Sequence, residues 1–577
     1  MIRTSGRASL IAVFTAGLLH LYFSTTHRYL GSDGEAWRTA ISSDGDGYYA
    51  YLTGLFVDGG LRHASAADNH FAPAGDGRII KYLCGTAVVQ LPFFLAAHAW
   101  CAITGVDANG RTLPYQVAIG LCSLCVMLFG LWQLRALLRS FQLPDGAVAF
   151  TLWVLVAGTG LLYQAVMTPS MSHAASFAAI AWALNEARRA WLGLDRHAIV
   201  RAALAIALIT LIRPVDLLAL FALPVVAMDK PIGLLAWVKR QGVRRWLIAA
   251  IVLLFIISLQ PLAWYAQCGR FFVVPYANEG FHWSAPKLFQ VLFSARKGLF
   301  FYWPMLLLAL PGLLVLWERS RLVAASIFIA FGTVAYVASC WWTWYYGHSY
   351  GMRPMLDHLV LFAIPIAFLH GAIPRRWKHV LLVLTIPLLL LQCFQIWQYQ
   401  QGILHPFNMD REKYRTIFLR SGDEHRDLFG EGCASPPYAP RGFDVLVDTL
   451  LRRPEVPWQL DSADRFGPGV IVAPAELPSG QVLYVEASLR RRALDANASN
   501  TVEMVCTLGQ GGTNWYYNAY RLNDIRLPDD RTWRHWRYAF YVPAAKPGDE
   551  MRVYTVQNGT GRVLLKDVDV RISAVRR

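Results

Sequence analysis

Two carboxylates lie close together in the segment 43–51, which reads Ser-Asp-Gly-Asp-Gly-Tyr-Tyr-Ala-Tyr. Asp44 and Asp46 occupy a Gly-rich turn ahead of an aromatic helix start. Of two neighbouring acids, one can take a proton from a hydroxyl or amine while the other orients the reactant. The pair could also supply oxygen ligands to a divalent cation, although no metal is assigned. The alternative is local, because Asp and Gly favour turns and Asp46 could cap the helix.

Basic side chains occur at several points where the chain leaves its apolar segments. They are Lys81, Arg213, Arg296, Lys297 and Arg353. A reaction that expels a phosphate needs cations to stabilise the charge on the leaving group. Arg353 and the Arg296–Lys297 pair are the preferred candidates for binding such a donor phosphate. The alternative for each is a headgroup anchor, because Arg and Lys beside a membrane often extend toward lipid headgroups.

Aromatic and polar side chains accompany these charges. The segment 341–350 is rich in Trp and Tyr, so it can stack on a sugar or form an interfacial aromatic belt. Two polar residues ahead of Arg296 could reach an acceptor or be solvated loop residues. The candidates for a substrate cavity are Tyr48, Tyr49, Tyr346, His348, Glu279 and His282. His173, at a helix start, could line the cavity or be structural.

The composition indicates that apolar helices must position these residues. The 577-residue chain is 55% hydrophobic and only 16% charged, which is more apolar than a soluble average. Its net charge of +16 would suit a nucleic-acid partner in a soluble protein. Here most of the excess Lys and Arg lies in short loops beside apolar runs, which is typical of membrane orientation. We therefore expect contact with membrane lipid and no nucleic-acid partner.

The apolar runs predict about 11 transmembrane helices, since a bilayer core needs roughly 20 apolar residues per helix. The run from Ala8 to Phe23 predicts an uncleaved signal anchor. Further spans are predicted at 113–134, 147–166, 171–187, 246–264, 297–317, 322–340, 355–371 and 378–396. Residues 199–228 predict two short helices joined at Arg213–Asp216, because polar groups at membrane depth must line a cavity or interface.

The distribution of basic residues predicts the orientation. The residues expected in the cytoplasm are Arg135, Arg139, Arg188, Arg189, Lys239, Arg240, Arg319, Arg321, Arg375, Arg376 and Lys378. All are cytoplasmic if the apolar run 83–103 is a re-entrant or interfacial helix hairpin rather than a full crossing. The N-terminus is then cytoplasmic. The loops 25–82, 167–170, 213–216, 265–296 and 341–354, and everything after about residue 397, then lie outside.

The sequence after residue 400 predicts a separate extracytoplasmic part. Residues 401–470 form a Pro-rich linker region, and residues 471–577 predict a periplasmic β-sandwich of jelly-roll type. Near the end, Val568, Val570 and Ile572 alternate with charged residues, as a half-buried strand requires. Asn558-Gly559 is a favoured tight-turn pair between strands.

The acidic motif just after the first transmembrane helix, a few residues before a Tyr, resembles the GT-C superfamily of membrane glycosyltransferases. This superfamily includes protein mannosyltransferases and lipid A aminoarabinose transferases. The segments 211–214, 292–302 and 344–353 also look like segments of bacterial members, so the resemblance covers roughly residues 1–400. It implies a GT-C-like fold, a polyprenyl-phosphate sugar donor and an acidic catalytic base. The position before Tyr48 favours Asp44, but Asp-Gly-Asp replaces the commoner Asp-Glu pair, so Asp46 stays open.

The sequence therefore predicts an inverting hexosyl- or pentosyltransferase of the inner membrane. It would move a sugar from a polyprenyl-phosphate donor to a cell-envelope glycan, lipid or protein acceptor, with the sandwich helping to hold the acceptor. The alternatives are a transporter or flippase of a lipid-linked glycan, and a non-enzymatic envelope assembly protein. A transporter predicts related halves with paired broken helices. The chain shows one Arg-Pro interruption and no internal repeat.

Overall fold

The computed structural model describes most of the chain. The described residues are 6–29, 36–67, 70–75, 77–230, 232–276, 280–407, 409, 411–422, 425, 444–452, 457–477, 482–495, 502–522, 531–542, 544–559 and 561–576. They form two compact units. The first comprises Met1–Tyr346 and Tyr350–Ile396, and the second comprises Gly347–Ser349 and Trp397–Arg577.

The first unit is mainly helical. Its helices are α1 (Arg7–Ser24, extended by a π-turn to Tyr29), α2 (Asp44–Phe56), α3 (Gly85–Thr104), α4 (Leu113–Ser140), α5 (Asp145–Ala157), α6 (Leu161–Met167), α7 (His173–Leu192), α8 (Ala198–Ile212), α9 (Leu234–Gln241), α10 (Val243–Cys268), α11 (Leu288–Phe293), α12 (Leu299–Tyr302), α13 (Ala309–Arg319), α14 (Arg321–Cys340), α15 (Leu359–Ala372) and α16 (Arg375–Gln400). A 3₁₀ helix, Pro214–Ala227, follows α8, and strands β1 (Phe71–Ala74) and β2 (Gly77–Ile80) form a small hairpin.

The chain is a multi-pass membrane protein. Within its described part, six helices are long and apolar enough to cross a bilayer, namely Arg7–Tyr29, α3, α4, α10, α14 and α16. The pair α5 and α6, bent by 49°, would make a seventh span. Shorter apolar helices are α8, Pro214–Ala227 and α15. The predicted turn at Arg213–Asp216 is confirmed, whereas the count of about 11 stays a prediction.

Two predicted segments have a different form in the structure. The hairpin expected at 83–103 is wrong, because α3 is one continuous helix that includes Pro92. Nothing in that apolar run forces a turn, and membrane helices tolerate Pro. The span expected at 297–317 is interrupted. Helix α12 ends before Pro304, which has no N–H to donate, and a 3₁₀ turn then leads into α13.

Helix α6 ends inside the bundle, and side chains of other helices cap its free carbonyls. The Ala165 carbonyl accepts a hydrogen bond from Ser123 Oγ at 2.8 Å. The Val166 and Met167 carbonyls accept from the guanidinium of Arg28, which is 4% exposed. Helix ends buried without such partners are rare because each bare carbonyl is costly. These caps fix the segment 168–172 that follows.

The basic residues predicted to be cytoplasmic gather at one end of the helical unit, here called the Arg188 end. Arg135 of α4 donates to Ser9 Oγ and the Gly6 carbonyl at the start of α1. At the same end, Arg188 donates to the Val226 and Met228 carbonyls, Arg240 to the Ala190 carbonyl, and Arg319 to Asp229. These contacts join the start of α1 to the ends of α4, α7 and α13.

The second unit contains two antiparallel sheets. Its elements are helix α17 (Arg411–Ile417) and strands β3 (Asp444–Arg452), β4 (Trp458–Leu460), β5 (Phe466–Val472), β6 (Val482–Ala493), β7 (Val502–Gln510), β8 (Thr513–Arg521), β9 (Arg534–Val542), β10 (Glu550–Gln557) and β11 (Val563–Arg576). One sheet has the order β5-β10-β7-β8, and the other has the order β3-β11-β6-β9 with β4 paired to β11. Buried residues of both sheets, such as Val485 and Met504, form one hydrophobic cluster. Because β3, β4 and the start of β5 lie within residues 401–470, the sheets begin earlier than the predicted boundary at 471.

Candidate functional site

Asp44 is the first residue of α2, at the end of the helical unit opposite the Arg188 end. Ser43 precedes it with φ 53° and ψ −145°, a conformation that residues other than Gly seldom adopt and that is common at functional sites. Asp44 and Asp46 therefore belong to the first helical turn rather than to a loop ahead of it. The expected capping role of Asp46 is wrong, because the helix begins two residues before it.

The carboxylate of Asp44 accepts two hydrogen bonds from side chains. Arg353 Nη2 lies 2.7 Å from Oδ2, and the Tyr82 hydroxyl donates to Oδ1 at 3.1 Å. Burial raises the pKa of Asp44, but the charge of Arg353, the Tyr82 hydrogen bond and the charge of Arg213 outweigh it. The pKa therefore lies below its ordinary value of 3.8. Asp44 is ionised at neutral pH and surrounded by cations.

The two glycines of the motif allow this close packing. A Cβ at position 45 would lie 2.7 Å from Ser170 Cβ, and one at position 47 would lie 2.3 Å from the Tyr82 ring. Contacts this short cannot be accommodated without moving the neighbours. The glycines therefore bring the start of α2 against Ser170 on one side and Tyr82 on the other.

Asp46 faces different partners from Asp44. Its Oδ1 lies 2.7 Å from Arg111 Nη1, and its Oδ2 accepts from the Ala67 N–H at 3.4 Å. Residues two apart on a helix point in different directions, so the two carboxylates do not converge on one point. Within the described residues, no group of three or more His, Cys, Asp or Glu side chains could hold a metal ion.

A buried ion-pair network holds Arg213 near the site. Arg213 Nη1 lies 3.0 Å from Oδ2 of Asp357, and His173 Nδ1 lies 2.8 Å from Oδ1 of the same carboxylate. Asp357 is fully buried, and His173 Nε2 has no hydrogen-bond partner among the described residues. Buried charges usually survive only when paired in this way. Asp357 therefore fixes the guanidinium whose charge acts on Asp44.

Several of these residues were not predicted. Asp357 and the buried pair His358–Asp216, 3.3 Å apart, lie in apolar segments, where charged residues are rare and usually functional or paired. That signal was available in the sequence. Tyr82 carried no comparable signal, because nothing local distinguishes it from the other tyrosines of the chain.

The remaining predicted cations have varied surroundings. Lys297 is 1% exposed, and the charges of Arg296 and Arg353 act on it. The Arg296 guanidinium lies 3.4 Å above the Tyr345 ring, a cation–π geometry. The Lys81 N–H donates to the His70 carbonyl at 2.9 Å. The structure thus brings Arg213 and Arg353 to Asp44, and Lys297 to Arg353.

The predicted cavity residues are scattered. Tyr48 is buried with its ring 4.7 Å from that of Tyr82, beside Asp44. Tyr49 is instead part of the hydrophobic core, fully buried with its hydroxyl donating to the Gly110 carbonyl at 2.7 Å. Because no surface of Tyr49 is free, its predicted place in a substrate cavity is corrected to packing.

The other predicted cavity residues lie in loops. The Tyr346 hydroxyl donates to the Ala338 carbonyl at 3.2 Å, and the His282 N–H donates to the Cys340 carbonyl at 2.6 Å. His348 belongs to the second unit, where its Nδ1 lies 3.1 Å from the Tyr399 hydroxyl. Glu279 lies outside the described residues.

Comparison with known proteins gives distant structural similarities. One is the archaeal oligosaccharyltransferase AglB from Archaeoglobus fulgidus, in complex with an inhibitory peptide and a dolichol-phosphate, with a TM-score of 0.40 and 12% identity. The match covers 68% of this chain and 55% of that one, so the chain spans about half of AglB. Another is the CBM22-1 xylan-binding domain of Xyn10C from Paenibacillus barcinonensis, with a TM-score of 0.15 and 12% identity over 24% of this chain and 100% of that one.

No protein-family model matches the sequence, and no curated protein matches it. The function is therefore inferred from the residues of the site itself.

Proposed function

We propose that the chain is a GT-C-type membrane glycosyltransferase that uses a polyprenyl-phosphate sugar. The observation that carries the proposal is the pair of Asp44 and Arg353, 2.7 Å apart, with Arg213 close enough to act on the same carboxylate. A carboxylate can take the proton of an acceptor, and adjacent cations can stabilise a phosphate as it leaves. The site holds both kinds of group together.

In the proposed reaction, the acceptor O–H or N–H loses its proton to Asp44. The acceptor atom forms a bond to the anomeric carbon on the face opposite the donor phosphate, which inverts the configuration. The bond between that carbon and the phosphate oxygen breaks, and the electron pair leaves with the phosphate. Arg353, Arg213 and Lys297 stabilise the charge that develops there, with Arg296 and Lys81 as further donors from the loops.

Donor binding also prepares the base. Before binding, Arg353 neutralises Asp44 and lowers its pKa. Arg353 Nε is buried and has no hydrogen-bond partner among the described residues, so it can donate to a phosphate oxygen. A phosphate that shares the positive charge of Arg353 weakens its hold on Asp44. The pKa of the carboxylate then rises, which makes it a better base at the moment it is needed.

The C-terminal sheets form a jelly-roll β-sandwich that holds the acceptor. The support is a set of exposed aromatic side chains on this unit, Phe466, Trp515 and Tyr517, which are 63%, 40% and 58% exposed. Aromatic rings with one open face can stack on sugar rings, and their exposure is otherwise unfavourable. The acceptor is accordingly a glycan or a molecule that carries one, among the cell-envelope glycans, lipids and proteins.

The Asp44 end faces the outside of the inner membrane, and the N-terminus is cytoplasmic. The gathering of Arg135 and Arg188 at the other end supports this placement. Helix α3 supports it too, since Phe94 and His98 pack on Tyr49 and Phe56 of the short helix α2. A helix that accompanies α2 adds no crossing. Fusions of a periplasm-active reporter at residue 577 should be active, and activity of a cytoplasmic reporter there would contradict the topology.

The lipids of cells that lack the protein test the function. A polyprenyl-phosphate-linked sugar should accumulate, and its mass identifies the sugar. Wild-type protein should remove it, whereas Asp44→Asn, which keeps size and hydrogen bonding, should reach the membrane in equal amount and leave it in place. Removal of the lipid by Asp44→Asn would contradict the enzymatic proposal, because a transporter or an assembly protein does not need a base at this position.

A further inference from the structure

The second hydrogen bond of Asp44 leads away from Arg353 and toward the first loop. The Tyr82 hydroxyl is 3.1 Å from Asp44 Oδ1, and His70 Nδ1 is 3.3 Å from the same hydroxyl. The side chains of Asp44, Tyr82 and His70 thus form an unbroken row. The proposed reaction assigns no role to Tyr82 or His70.

Packing holds this row in place from several sides. Tyr82 stacks on Tyr48, and Gly47 lacks the Cβ that would lie 2.3 Å from the Tyr82 ring and 3.2 Å from His70 Cβ. The His70 N–H donates to the Ala67 carbonyl at 2.9 Å, which fixes the backbone on its other side. Side chains held this closely keep their hydrogen-bond geometry during a reaction.

We propose that Tyr82 and His70 form a proton path that carries the proton of the acceptor from Asp44 to the first loop, a role that rests on the transferase function proposed above. Asp44 must lose its proton after each transfer before it can act again. Arg353 and Arg213 cannot take it, since guanidinium groups stay protonated in proteins. Tyr82 is the neutral hydrogen-bonding group in contact with the carboxylate.

The proton balance is complete along this row. After transfer, protonated Asp44 donates from Oδ1 to the Tyr82 oxygen, and the Tyr82 hydroxyl proton passes to Nδ1 of neutral His70. His70 then gives its Nε2 proton to water. Each group ends in the state in which it began except Asp44, which is ionised again. Tyr82 carries no net charge before or after the step.

The charges around the row suit these roles. His70 faces the acids Asp46 and Asp44 and the bases Lys81 and Arg111, which largely offset one another. Burial lowers the pKa of His70, so the ring is neutral at pH 7 and can accept a proton. Burial and the nearby Asp44 raise the pKa of Tyr82, so it keeps its own proton between transfers. A neutral relay next to an ionised base is the required arrangement.

Turnover measured with the lipid extract of cells that lack the protein tests the path. We expect Tyr82→Phe and His70→Ala each to lower kcat about tenfold or more, and the double variant to be no slower than either one. Added imidazole should raise the rate of His70→Ala but not of Tyr82→Phe, whose path is broken before His70. His63→Ala, an exposed histidine of the same loop, is the matched control and should be unaffected. Wild-type turnover by His70→Ala, or no rescue of it by imidazole, overturns the path.

A second control removes the same atom from a pair that lacks a carboxylate. The Tyr115 hydroxyl lies 2.6 Å from His98 Nδ1, and Tyr115→Phe should leave kcat unchanged. A loss as large as that of Tyr82→Phe would mean that any buried Tyr–His pair supports the fold equally. Inactive Asp44→Asn beside active Tyr82→Phe and His70→Ala would reject the path alone, whereas active Asp44→Asn would reject the transferase proposal.

A measurement without substrate gives an independent answer. Histidine ¹⁵N shifts of the full-length protein in detergent report which ring nitrogen of His70 carries the proton, with the signal assigned by its loss in His70→Gln. Both Tyr82→Phe and Asp44→Asn should shift the tautomer balance of His70, because each changes the hydrogen bond that reaches Nδ1. His70 signals identical in all three proteins would show that the row is not connected.

Discussion

Arg188 and Arg353 are both largely buried arginines at opposite ends of the helical unit, and they are satisfied in different ways. Arg188 donates to the carbonyls of Val226 and Met228 and is 2% exposed. Arg353 pairs with one carboxylate through Nη2, while its Nε is buried without a hydrogen-bond partner among the described residues. One guanidinium closes the end of a helix, and the other keeps a donor in reserve.

The difference separates a structural role from a functional one. Carbonyls at helix ends need donors, and an arginine that satisfies them stabilises the fold. A buried donor without an acceptor costs about 1–3 kcal/mol, so such a group points to a partner that is absent between turnovers. The same contrast distinguishes the acids, since Asp44 meets Arg353 and Tyr82 whereas Asp46 meets the more exposed Arg111.

The largest expected effect compares the two acids in purified protein. Asp44→Asn should lower transfer about a hundredfold or more, because the base is lost while shape is kept. Asp46→Asn should change the rate only a few-fold, since its ion pair with a 38% exposed Arg111 contributes little. Initial rates with the accumulated lipid donor measure both. Loss confined to Asp46→Asn would move the base to Asp46.

The next effect compares arginines. Arg353→Gln should lower donor use by about a hundredfold, as the loss of one charge-stabilising donor does elsewhere. It should also move the acid limb of the pH–rate profile. In wild type the pKa of Asp44 lies below 3.8, and without Arg353 the effect of burial raises it, so activity should fall off at a higher pH. An acid limb unchanged in Arg353→Gln would contradict the pairing.

A smaller effect tests the packing of the site. Gly47→Ala adds a Cβ against the Tyr82 ring, which must move and weaken its hydrogen bond to Asp44. We expect about a tenfold loss of kcat, with KM little changed. Gly146→Ala, near the start of α5, has open space around its Cβ and should leave kcat as it is. Equal rates for both variants would mean that Tyr82 does not need its position.

The smallest effect on turnover is expected at the Arg188 end. Arg188→Gln should lower the free energy of unfolding by about 2 kcal/mol, because two carbonyls lose their donors. It should leave kcat and KM unchanged at temperatures where the fold persists. Thermal unfolding in detergent, compared with the initial rate, separates these quantities. A rate loss without a stability loss would place Arg188 in the reaction.

The sequence was sufficient for the parts of the site that follow local rules. Asp44 was identified because it precedes an aromatic helix just after the first span, and Arg353 because it lies against the expected charge trend. Apolar length gave the strongest helices, such as α4 and α10. It could not decide whether residues 83–103 turn, because a short apolar run fits a hairpin and a single helix equally.

The contacts that organise the site depend on residues far apart in the chain. Tyr82 and Asp44 are 38 positions apart, and His173 and Asp357 are 184 positions apart. No periodicity links such pairs, because only the packing of the helices brings them together. Gly47 is the local trace of one of these contacts, but a glycine in a turn-like segment has several explanations.

The capping of α6 by Arg28 sets an order of events during synthesis. The guanidinium and the Val166 carbonyl are 138 positions apart. At ordinary translation speeds, the ribosome needs on the order of ten seconds to make the chain between them. During that interval the end of the first helix carries a charge without its final partners, so α1 must wait at the membrane surface or against the insertion machinery. The first helix to be made is thus among those that settle only after the sixth has arrived.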